Sequence, residues 1–401
     1  MGNEIQNKSL VKLLNWLKEN GWAGYDPYDI KGHPFVIWLI KKSAKTKIFV
    51  YIRETVFELF YSFPRFSRWL FRIEPQINAK AMGLFAKAYL DFYLVTKEEK
   101  YLGLSKDCLR WLINNISDSG KGIKWAYPFD WQSTAFIPKG TPNGIVTTAV
   151  GDAYWSWYKH SGEKEYLDVC VGICEFLETL PQDALDNNRI CFSYTPLYIN
   201  HVHNLNLFVA EFLIKVGLEI NNETWVALGN RAINYTLSDQ KDDGSFDYNG
   251  PPEKAQNFID NYHTGFVLRM LHSIWKLTQR ADVYAALKKC YKHYIENFFE
   301  DASIPWLKPN QKYRIDIHSC AESINCLSEL SEAFPEGKQI ARKVLLWTIE
   351  HLQDKQGYFY YGINKSRIFK FSYKSKIAYI RWGQAWMMKA LSSYYKYQSD
   401  N

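Results

Sequence analysis

Apolar residues recur at helical spacing in long stretches of the chain, and short charged segments separate one stretch from the next. Five of these segments look alike, as in "KHSGEKEYLDV" near residue 160 and "KLTQRADVYAAL" near residue 276, and they follow at intervals of about 55 to 65 residues. A charged turn between two apolar helical stretches predicts a pair of helices that fold back on each other. The chain is therefore predicted to be a series of helical hairpins.

The pattern predicts two sets of helices that alternate along the chain. The first set covers residues 76–94, 143–159, 201–216, 260–277, 316–331 and 379–396. The second set covers residues 98–115, 163–180, 222–238, 281–299 and 336–352, and a helix over 8–19 supplies its sixth member. Because the first set is poorer in charge, we expect it to form an inner ring that the second set surrounds. The predicted fold class is all-α: an (α/α)6 toroid of six helical hairpins with a basic N-terminal helical extension.

The N-terminal extension carries the excess charge of the chain. The 401 residues have a formal net charge of +7, and between Lys31 and Arg72 nine basic residues face two acidic ones, which accounts for the whole excess. Apolar and aromatic residues are interleaved with these charges, as in a basic amphipathic arm. We expect an N-terminal helix, loop and arm over residues 1–75 and the toroid over 76–401. The arm is interpreted as a peripheral helical layer, with contact to a membrane surface or an acidic polymer as the alternative.

Cysteine usage and the N-terminal sequence bear on the location of the protein. Seven cysteines without a CxxC pair favour reduced, buried thiols over a disulfide framework or a zinc site. The first residues lack the apolar segment of a signal peptide, and the run "PFVIWLI" is too short to span a bilayer. We expect a cytoplasmic protein, with membrane association through residues 31–72 left open. No nucleic-acid partner is expected, because the basic segment carries no recognised binding motif.

Polar and aromatic residues gather just before and at the start of each predicted inner helix. In a toroid the inner helices run parallel, so these six entrances meet at one end. The candidates from the six entrances in chain order are Asn78; Trp125, Asp130 and Gln132; Asn200, His201, His203 and Asn204; Asp260, Tyr262 and His263; Arg314, Asp316, His318 and Glu322; and Arg381, Trp382 and Gln384. Single Asn or Asp residues here could be helix caps. Caps do not explain why four of the nine histidines stand at these entrances.

The residue types at the entrances indicate an anionic ligand. Helix N-termini favour negative charge, and Arg314 and Arg381 add groups that bind carboxylates in a bidentate manner. Trp125 and Trp382 are suited to stacking on sugar rings. An acidic sugar chain meets all three conditions. We expect no metal and no cofactor, since the two-residue spacing of His201 and His203 matches no helical zinc motif.

Four motifs carry a resemblance to a known superfamily: "DNYHTGF", "DIHSCAES", "HLQDKQGYFYYG" and "YIRWGQAWMMKAL". They resemble the six-hairpin glycosidases and, more narrowly, uncharacterised helical proteins of prokaryotic polysaccharide biosynthesis loci. The resemblance covers most of the chain and implies the (α/α)6 toroid. The narrower group brings no established reaction.

The broader resemblance implies two kinds of chemistry. Toroidal polysaccharide lyases and uronyl C5-epimerases use Asn and His to neutralise a uronate carboxylate and Tyr or His to move the proton at C5. "NHVHN" (Asn200 to Asn204) is similar to their Asn-His element, so His201, His203, Tyr262 and His263 are the proton-handling candidates. Hydrolases of the superfamily use carboxylates instead, for which the candidates are Asp130, Asp260, Asp316 and Glu322. The expected substrate-binding residues are Asn78, Trp125, Gln132, Asn200, Asn204, Arg314, His318, Arg381, Trp382 and Gln384.

We therefore expect a carbohydrate-active enzyme that acts on an acidic, uronate-containing polysaccharide or glycan intermediate by lyase or C5-epimerase proton transfer. The alternatives are a glycoside hydrolase with paired carboxylates and a non-catalytic glycan-binding or assembly protein of polysaccharide biosynthesis. The loop "GYDPYD" adds Asp26 and Asp29 as a secondary site, because it could fold over the entrances as a lid; its residues are also ordinary turn formers.

Overall fold

The computed structural model describes residues 2–118, 120–133, 135–253, 257–366 and 371–398. The helices are α1 (Gly2–Asn20), α2 (Pro34–Ser43), α3 (Lys47–Ser62), α4 (Pro64–Leu70), α5 (Ala79–Thr96), α6 (Glu99–Ile113), α7 (Gly144–Ser161), α8 (Lys164–Leu177), α9 (His203–Ile220), α10 (Glu223–Leu237), α11 (Asn261–Thr278), α12 (Ala281–Asn297), α13 (Ile317–Glu329), α14 (Gly337–Leu352) and α15 (Trp386–Gln398). Short 3-10 helices cover Asp29–Gly32 and Leu330–Glu332, and a π-helix covers Ile380–Ala385.

The strands are short and antiparallel. They are β1 (Ala23–Gly24), β2 (Gln76–Ile77), β3 (Trp131–Gln132), β4 (Phe136–Ile137), β5 (Gln182–Asp186), β6 (Arg189–Phe192), β7 (Phe299–Glu300), β8 (Ile304–Pro305), β9 (Ile315–Asp316), β10 (Gly362–Lys365) and β11 (Ser372–Ser375). They form the pairs β1-β2, β3-β4, β5-β6 and β7-β8 and one three-stranded sheet in the order β11-β10-β9. Most of them shape the loops that lead into inner helices.

The predicted toroid is confirmed. Helices α5, α7, α9, α11, α13 and α15 each pack on the next, and α15 packs on α5 to close the inner ring. Helices α6, α8, α10, α12 and α14 each pack on the inner helix that precedes them in the chain. Helix α1 packs on α14 and α15 and so completes the outer ring.

Burial explains the two rings. The inner helix α9 is buried on nearly all sides, as Leu207, Phe212 and Leu213 show on different faces. The outer helix α8 buries one stripe that includes Cys170 and Cys174, at the spacing of one helical turn. All seven cysteines are buried, and each carries a free thiol.

Four inner helices begin with a side-chain cap. Asn78, Asn143, Asp260 and Asp316 each accept a hydrogen bond from a backbone N–H in the first turn of the helix that follows. Each such cap contributes about 0.5 to 2 kcal/mol to stability. These residues therefore act as helix caps, and they fix the starts of their helices at one end of the ring.

The arm, formed by α2, α3 and α4, lies over the end of the ring where the inner helices start. Its anchor is Arg68, which is buried and donates to both carboxylate oxygens of Asp29, at 2.9 and 3.3 Å, and to the carbonyl of Asp26 at 3.0 Å. The backbone N–H of Ile380 donates to the carbonyl of Tyr25 at 3.1 Å, which ties the same loop to the sixth entrance. No helix within the described ranges is long and apolar enough to cross a membrane.

Candidate active site

Aromatic rings join four of the six entrances into one cluster. The ring of Tyr262 lies 4.4 Å from His263, 4.7 Å from His318 and 5.5 Å from Trp382, measured between centroids. Tyr28 of the "GYDPYD" loop connects Trp382, at 5.4 Å, with Trp131 of the second entrance, at 5.9 Å. The structure therefore brings the second, fourth, fifth and sixth entrances and the predicted lid loop together.

An ion pair fixes the lid loop to the sixth entrance. Arg381 donates from Nε and Nη2 to the two carboxylate oxygens of Asp26, at 2.6 and 2.7 Å, and both side chains are buried. The guanidinium also faces the ring of Tyr127, 4.9 Å from its centroid. This pairing occupies two donors of Arg381, so we rank it behind Arg314 as a ligand for a substrate anion.

Asp316 stands at the centre of the fifth entrance. It is fully buried, accepts from Trp382 Nε1 at 2.8 Å, and lies 3.2 Å from Nη2 of Arg314. Burial raises its pKa, although Arg314 and its hydrogen bonds lower it in part. Burial together with Lys80 and Arg381 holds the pKa of His318 well below its usual value, so this imidazole is neutral at pH 7.

The other three histidines at the entrances each lie close to an acidic side chain. Asp260 accepts from the backbone N–H of His263 and lies 2.8 Å from its Nδ1. His203 Nε2 lies 2.8 Å from Asp239, and its ring packs on side chains of the outer layer such as Tyr235. His201 Nε2 lies 2.8 Å from Asp183, with Glu253 at 3.7 Å from Nδ1. The structure therefore places His263 beside the aromatic cluster, where it lines one small pocket together with His203, and places His201 toward the outer loops.

Several predicted binding residues hold the scaffold together. Trp125 is buried, and its Nε1 donates to the carbonyl of Leu112 at 2.9 Å. The side chain of Gln384 bonds both the N–H and the carbonyl of Phe359, at 2.8 and 2.9 Å. The side-chain oxygen of Asn200 accepts from the backbone N–H of Tyr194 at 3.0 Å. None of these three contacts involves the aromatic cluster.

Other candidates lie at the edges of the cluster or deeper in the ring. The carboxylate of Asp130 accepts from the backbone N–H of Lys139 and is exposed. Glu322 is fully buried inside the ring and pairs with Arg269 at 2.6 Å. Asn204 is buried, and its side-chain oxygen finds no hydrogen-bond partner in the part of the chain that the structure describes.

A cavity of about 880 Å³ opens between the arm and the entrances. Arg314 and Gln132 are the predicted site residues that line it, and the arm contributes Lys31, Arg53 and Tyr61. Basic side chains in the lining outnumber acidic ones by five to two. The volume lies in the range of small-molecule sites, and the charge suits an anionic ligand.

Tyr61 lines this cavity and was not among the site residues predicted from the sequence. Burial alone would raise its pKa, but the charges of Arg314 and Lys31 and a hydrogen bond from Arg314 outweigh burial and lower the pKa below its usual value of 10.0. The Arg314 guanidinium faces the rings of Tyr61 and Tyr361, 5.4 and 5.2 Å from their centroids. The available signal was the four-residue spacing of Arg53, Phe57 and Tyr61, which places three cavity residues on one face of α3.

The described residues contain no group of three His, Cys, Asp or Glu side chains placed to hold a metal ion. The side chains of the cavity can bind a carboxylate at Arg314 and exchange a proton at Tyr61.

Comparison with known proteins defines the class of the fold. No protein-family profile matches the chain, and no curated protein matches its sequence. Among solved structures, the unsaturated glucuronyl hydrolase of Bacillus sp. GL1 superposes with a TM-score of 0.58 at 12% identity, over 98% of this chain and 96% of that one. A sugar epimerase from a ruminal bacterium gives 0.61 at 14% identity, over 82% and 90% of the two chains. A polysaccharide lyase gives 0.54 at 12%, over 80% and 91%.

The chain thus has the fold of the six-hairpin glycosidase-like proteins, as its motifs suggest. Proteins of this fold include lyases, epimerases and hydrolases that act on glycans. The likeness at these identities establishes the fold alone.

Proposed function

We propose that the protein is a carbohydrate-active enzyme that binds an acidic, uronate-containing glycan in the cavity beneath the arm. In this proposal it moves the proton at C5 of the uronate, as a lyase or a C5-epimerase. The observation that carries the proposal is the contact of Tyr61 with Arg314, because the same guanidinium that lowers the pKa of the phenol also lies in a cavity of positive charge.

In this proposal Arg314 binds the carboxylate of the uronate. Its side chain keeps about a quarter of its surface exposed, in contrast to the buried Arg381. Its Nε is buried and finds no hydrogen-bond partner among the described residues. A uronate carboxylate on this guanidinium would be neutralised, which makes the neighbouring C5–H more acidic.

The proton-transfer part falls on Tyr61. As a phenolate it takes the proton from C5, and the electron pair of the broken C–H bond moves into the carboxylate held by Arg314. In a lyase this electron pair then forms the C4–C5 double bond as the bond from C4 to its glycosidic oxygen breaks, and the Tyr61 hydroxyl returns the proton to that oxygen. In an epimerase, water delivers a proton to the opposite face of C5, and the Tyr61 hydroxyl gives up its own proton to the solvent.

The test compares Tyr61→Phe with Tyr51→Phe, which makes the same change at an exposed position of the same helix. Loss of the base is expected to slow turnover of uronate oligosaccharides by about 10²- to 10⁴-fold, and Tyr51→Phe is expected to leave it unchanged. Formation of the double bond is followed by ultraviolet absorbance, and exchange at C5 by deuterium uptake from the solvent.

The pH dependence gives a second measurement. Because Tyr61 acts as a phenolate, activity should rise with pH and level off below pH 10, the usual pKa of tyrosine. Arg314→Gln removes a positive charge that lowers this pKa, so the rising part of the profile should move to higher pH. Full activity of Tyr61→Phe would end the proposal. New reducing ends without a double bond would favour the hydrolase, and binding without turnover would favour the non-catalytic glycan-binding protein.

We also propose that the arm contacts an anionic membrane surface. Ten of the nineteen large apolar side chains exposed in the described residues lie between Phe35 and Leu70, among them Trp69 at 71% and Tyr51 at 68% exposure. The exposed lysines Lys41 and Lys45 lie in the same segment. Exposed aromatics beside basic residues are the composition of helices that lie in the membrane interface.

The membrane proposal is tested by sedimentation with vesicles of phosphatidylcholine, with and without phosphatidylglycerol. We expect binding to the anionic vesicles and a loss of at least tenfold in the double variant Phe66→Ala/Trp69→Ala. The matched control is Leu197→Ala/Ile199→Ala, which removes a similarly exposed apolar pair from the toroid. Equal binding of both double variants, or no binding of the unchanged protein, would count against the membrane contact.

A further inference from the structure

A second cavity lies inside the inner ring, on the side opposite the arm. Its volume is about 610 Å³, and all six inner helices contribute to its wall. It extends from Lys80, in the first turn of α5, to Leu94, near the end of that helix, a rise of about 21 Å. At its outer end it reaches the half-exposed Lys159 and Lys276, so the cavity opens where the inner helices end.

The wall of this lumen is rich in charge, and acids outside the lining pair with three of its cations. Eight basic and four acidic side chains line it. The four acids are already paired. Asp91 lies within 3.2 Å of both Lys87 and Lys396, and Glu329 lies 2.9 Å from Lys389.

The other two acids share one cation. Lys215 lies 3.1 Å from Glu211 and 3.5 Å from Asp152. Every carboxylate of the wall therefore has a cationic partner inside the lumen.

Lys80 differs from these lysines. It is 5% exposed and lines the inner end of the cavity, and no described residue makes a hydrogen bond or ion pair with its ammonium. Its neighbours are the rings of Trp386 and Phe266, whose centroids lie 5.3 and 5.6 Å from Nζ. A buried charge without a counter-ion costs free energy.

We propose that the lumen is a binding site for a small oxyanion of the phosphate or carboxylate class, which enters from the end opposite the arm and places its charge on Lys80. The anion supplies the counter-ion that the wall lacks. The rest of the ligand would lie against Trp155 and Trp386 in a space of the size that small-molecule sites have.

The titration of Lys80 agrees with this assignment. Burial, followed by the charge of Arg381, lowers its pKa to about 7. A bound anion would favour the charged ammonium, so binding near neutral pH should be accompanied by proton uptake.

The experiment is isothermal titration calorimetry of the full chain with inorganic phosphate and, separately, with D-glucuronate, at constant ionic strength set by chloride. Lys80→Met removes the ammonium and keeps an apolar side chain of similar length, and Lys106→Met makes the same change at an exposed position of α6. We expect at least a tenfold loss of affinity in Lys80→Met and none in Lys106→Met. In the Arg314→Gln variant, which lacks the anion-binding group of the other cavity, the anion that binds more tightly identifies the phosphate or the uronate as the source.

A second variant tests the same site independently, in case Lys80→Met does not fold. Ser156→Trp places a large side chain in the lining at the outer part of the lumen and should weaken binding while Lys80 is intact. No heat with either anion, or equal affinities of the Lys80 and Lys106 variants, would overturn the proposal. Anion binding that persists in Tyr61→Phe and Arg314→Gln would separate this site from the cavity beneath the arm, so either proposal can fail alone.

Discussion

At the scale of single residues, the pair of Asp26 and Arg381 makes a testable contribution to stability. Both side chains are buried, and two short hydrogen bonds join them. Arg381→Met leaves the Asp26 carboxylate buried without its cation, which should lower the free energy of unfolding by about 3 to 5 kcal/mol. Urea denaturation followed by tryptophan fluorescence measures the change.

The control is an ion pair whose two side chains are exposed to solvent. Lys8 and Glu4 pair on α1, where their side chains are 69% and 66% exposed. Lys8→Met should cost no more than about 1 kcal/mol. If Arg381→Met costs as little, the pair does not hold the lid loop to the ring.

The roles of single side chains at the entrances could not be predicted from the sequence. Arg314 and Arg381 both stand at the entrance of an inner helix, yet one lines the cavity and the other is paired with Asp26. A pattern along the chain identifies an entrance but does not give the direction of each side chain. Gln384 illustrates the point, because its amide satisfies the backbone of Phe359, which is distant in sequence.

At the scale of elements, long apolar helices were predictable and their local irregularities were not. The helix predicted over 260–277 is observed at Asn261–Thr278, and that over 143–159 at Gly144–Ser161. Burial on all sides produces a strong pattern, which explains this agreement. The helix predicted over 379–396 begins instead with a π-helix at Ile380–Ala385. A π-helix of six residues is too short to show a periodicity of its own, so the hydrophobic pattern does not reveal it.

The arm depends on a close approach that only glycine permits. A Cβ at Gly32 would lie 2.1 Å from the carbonyl oxygen of Asp130, which is rigid backbone beside β3. Gly32→Ala should therefore push the 3-10 helix Asp29–Gly32 away from the second entrance and loosen the arm. We expect faster hydrogen exchange in α2, α3 and α4, with the inner ring unchanged, because the ring has its own core.

Gly103→Ala is the matched control for this prediction. Gly103 lies in α6, and a Cβ there would meet no atom within 4 Å. This change should stabilise the helix by about 0.5 to 1 kcal/mol and leave exchange in the arm unchanged. Unchanged exchange in the arm of Gly32→Ala would show that the contact with Asp130 does not position it.

At the scale of the whole molecule, the closed ring was predictable and its charged interior was not. The inner helices were expected to be poor in charge, but α5 and α9 bury the pairs Lys87–Asp91 and Lys215–Glu211 in the lumen. Both pairs have the four-residue spacing that is typical of an exposed helix face. The sequence cannot distinguish solvent from a central space, and six helices in a ring leave such a space.

These buried pairs make stability depend on pH, and Glu329 allows the sign to be tested. Burial raises its pKa, but Lys389 and Arg269 outweigh burial and lower it from 4.5 to about 2. The unfolded chain therefore binds a proton that the folded protein does not, so this contribution is complete above pH 4.5 and is lost as the pH falls to 2.

Glu329→Gln should cost about 3 to 5 kcal/mol at pH 7, because it leaves two buried cations short of a partner. The difference from the unchanged protein should shrink between pH 4.5 and 2, where the carboxyl group becomes neutral as well. Thermal unfolding across this range measures it, with Glu19→Gln on the exposed face of α1 as the control. A difference that stays constant with pH would mean that the ion pairs of the lumen do not set the acid stability of the ring.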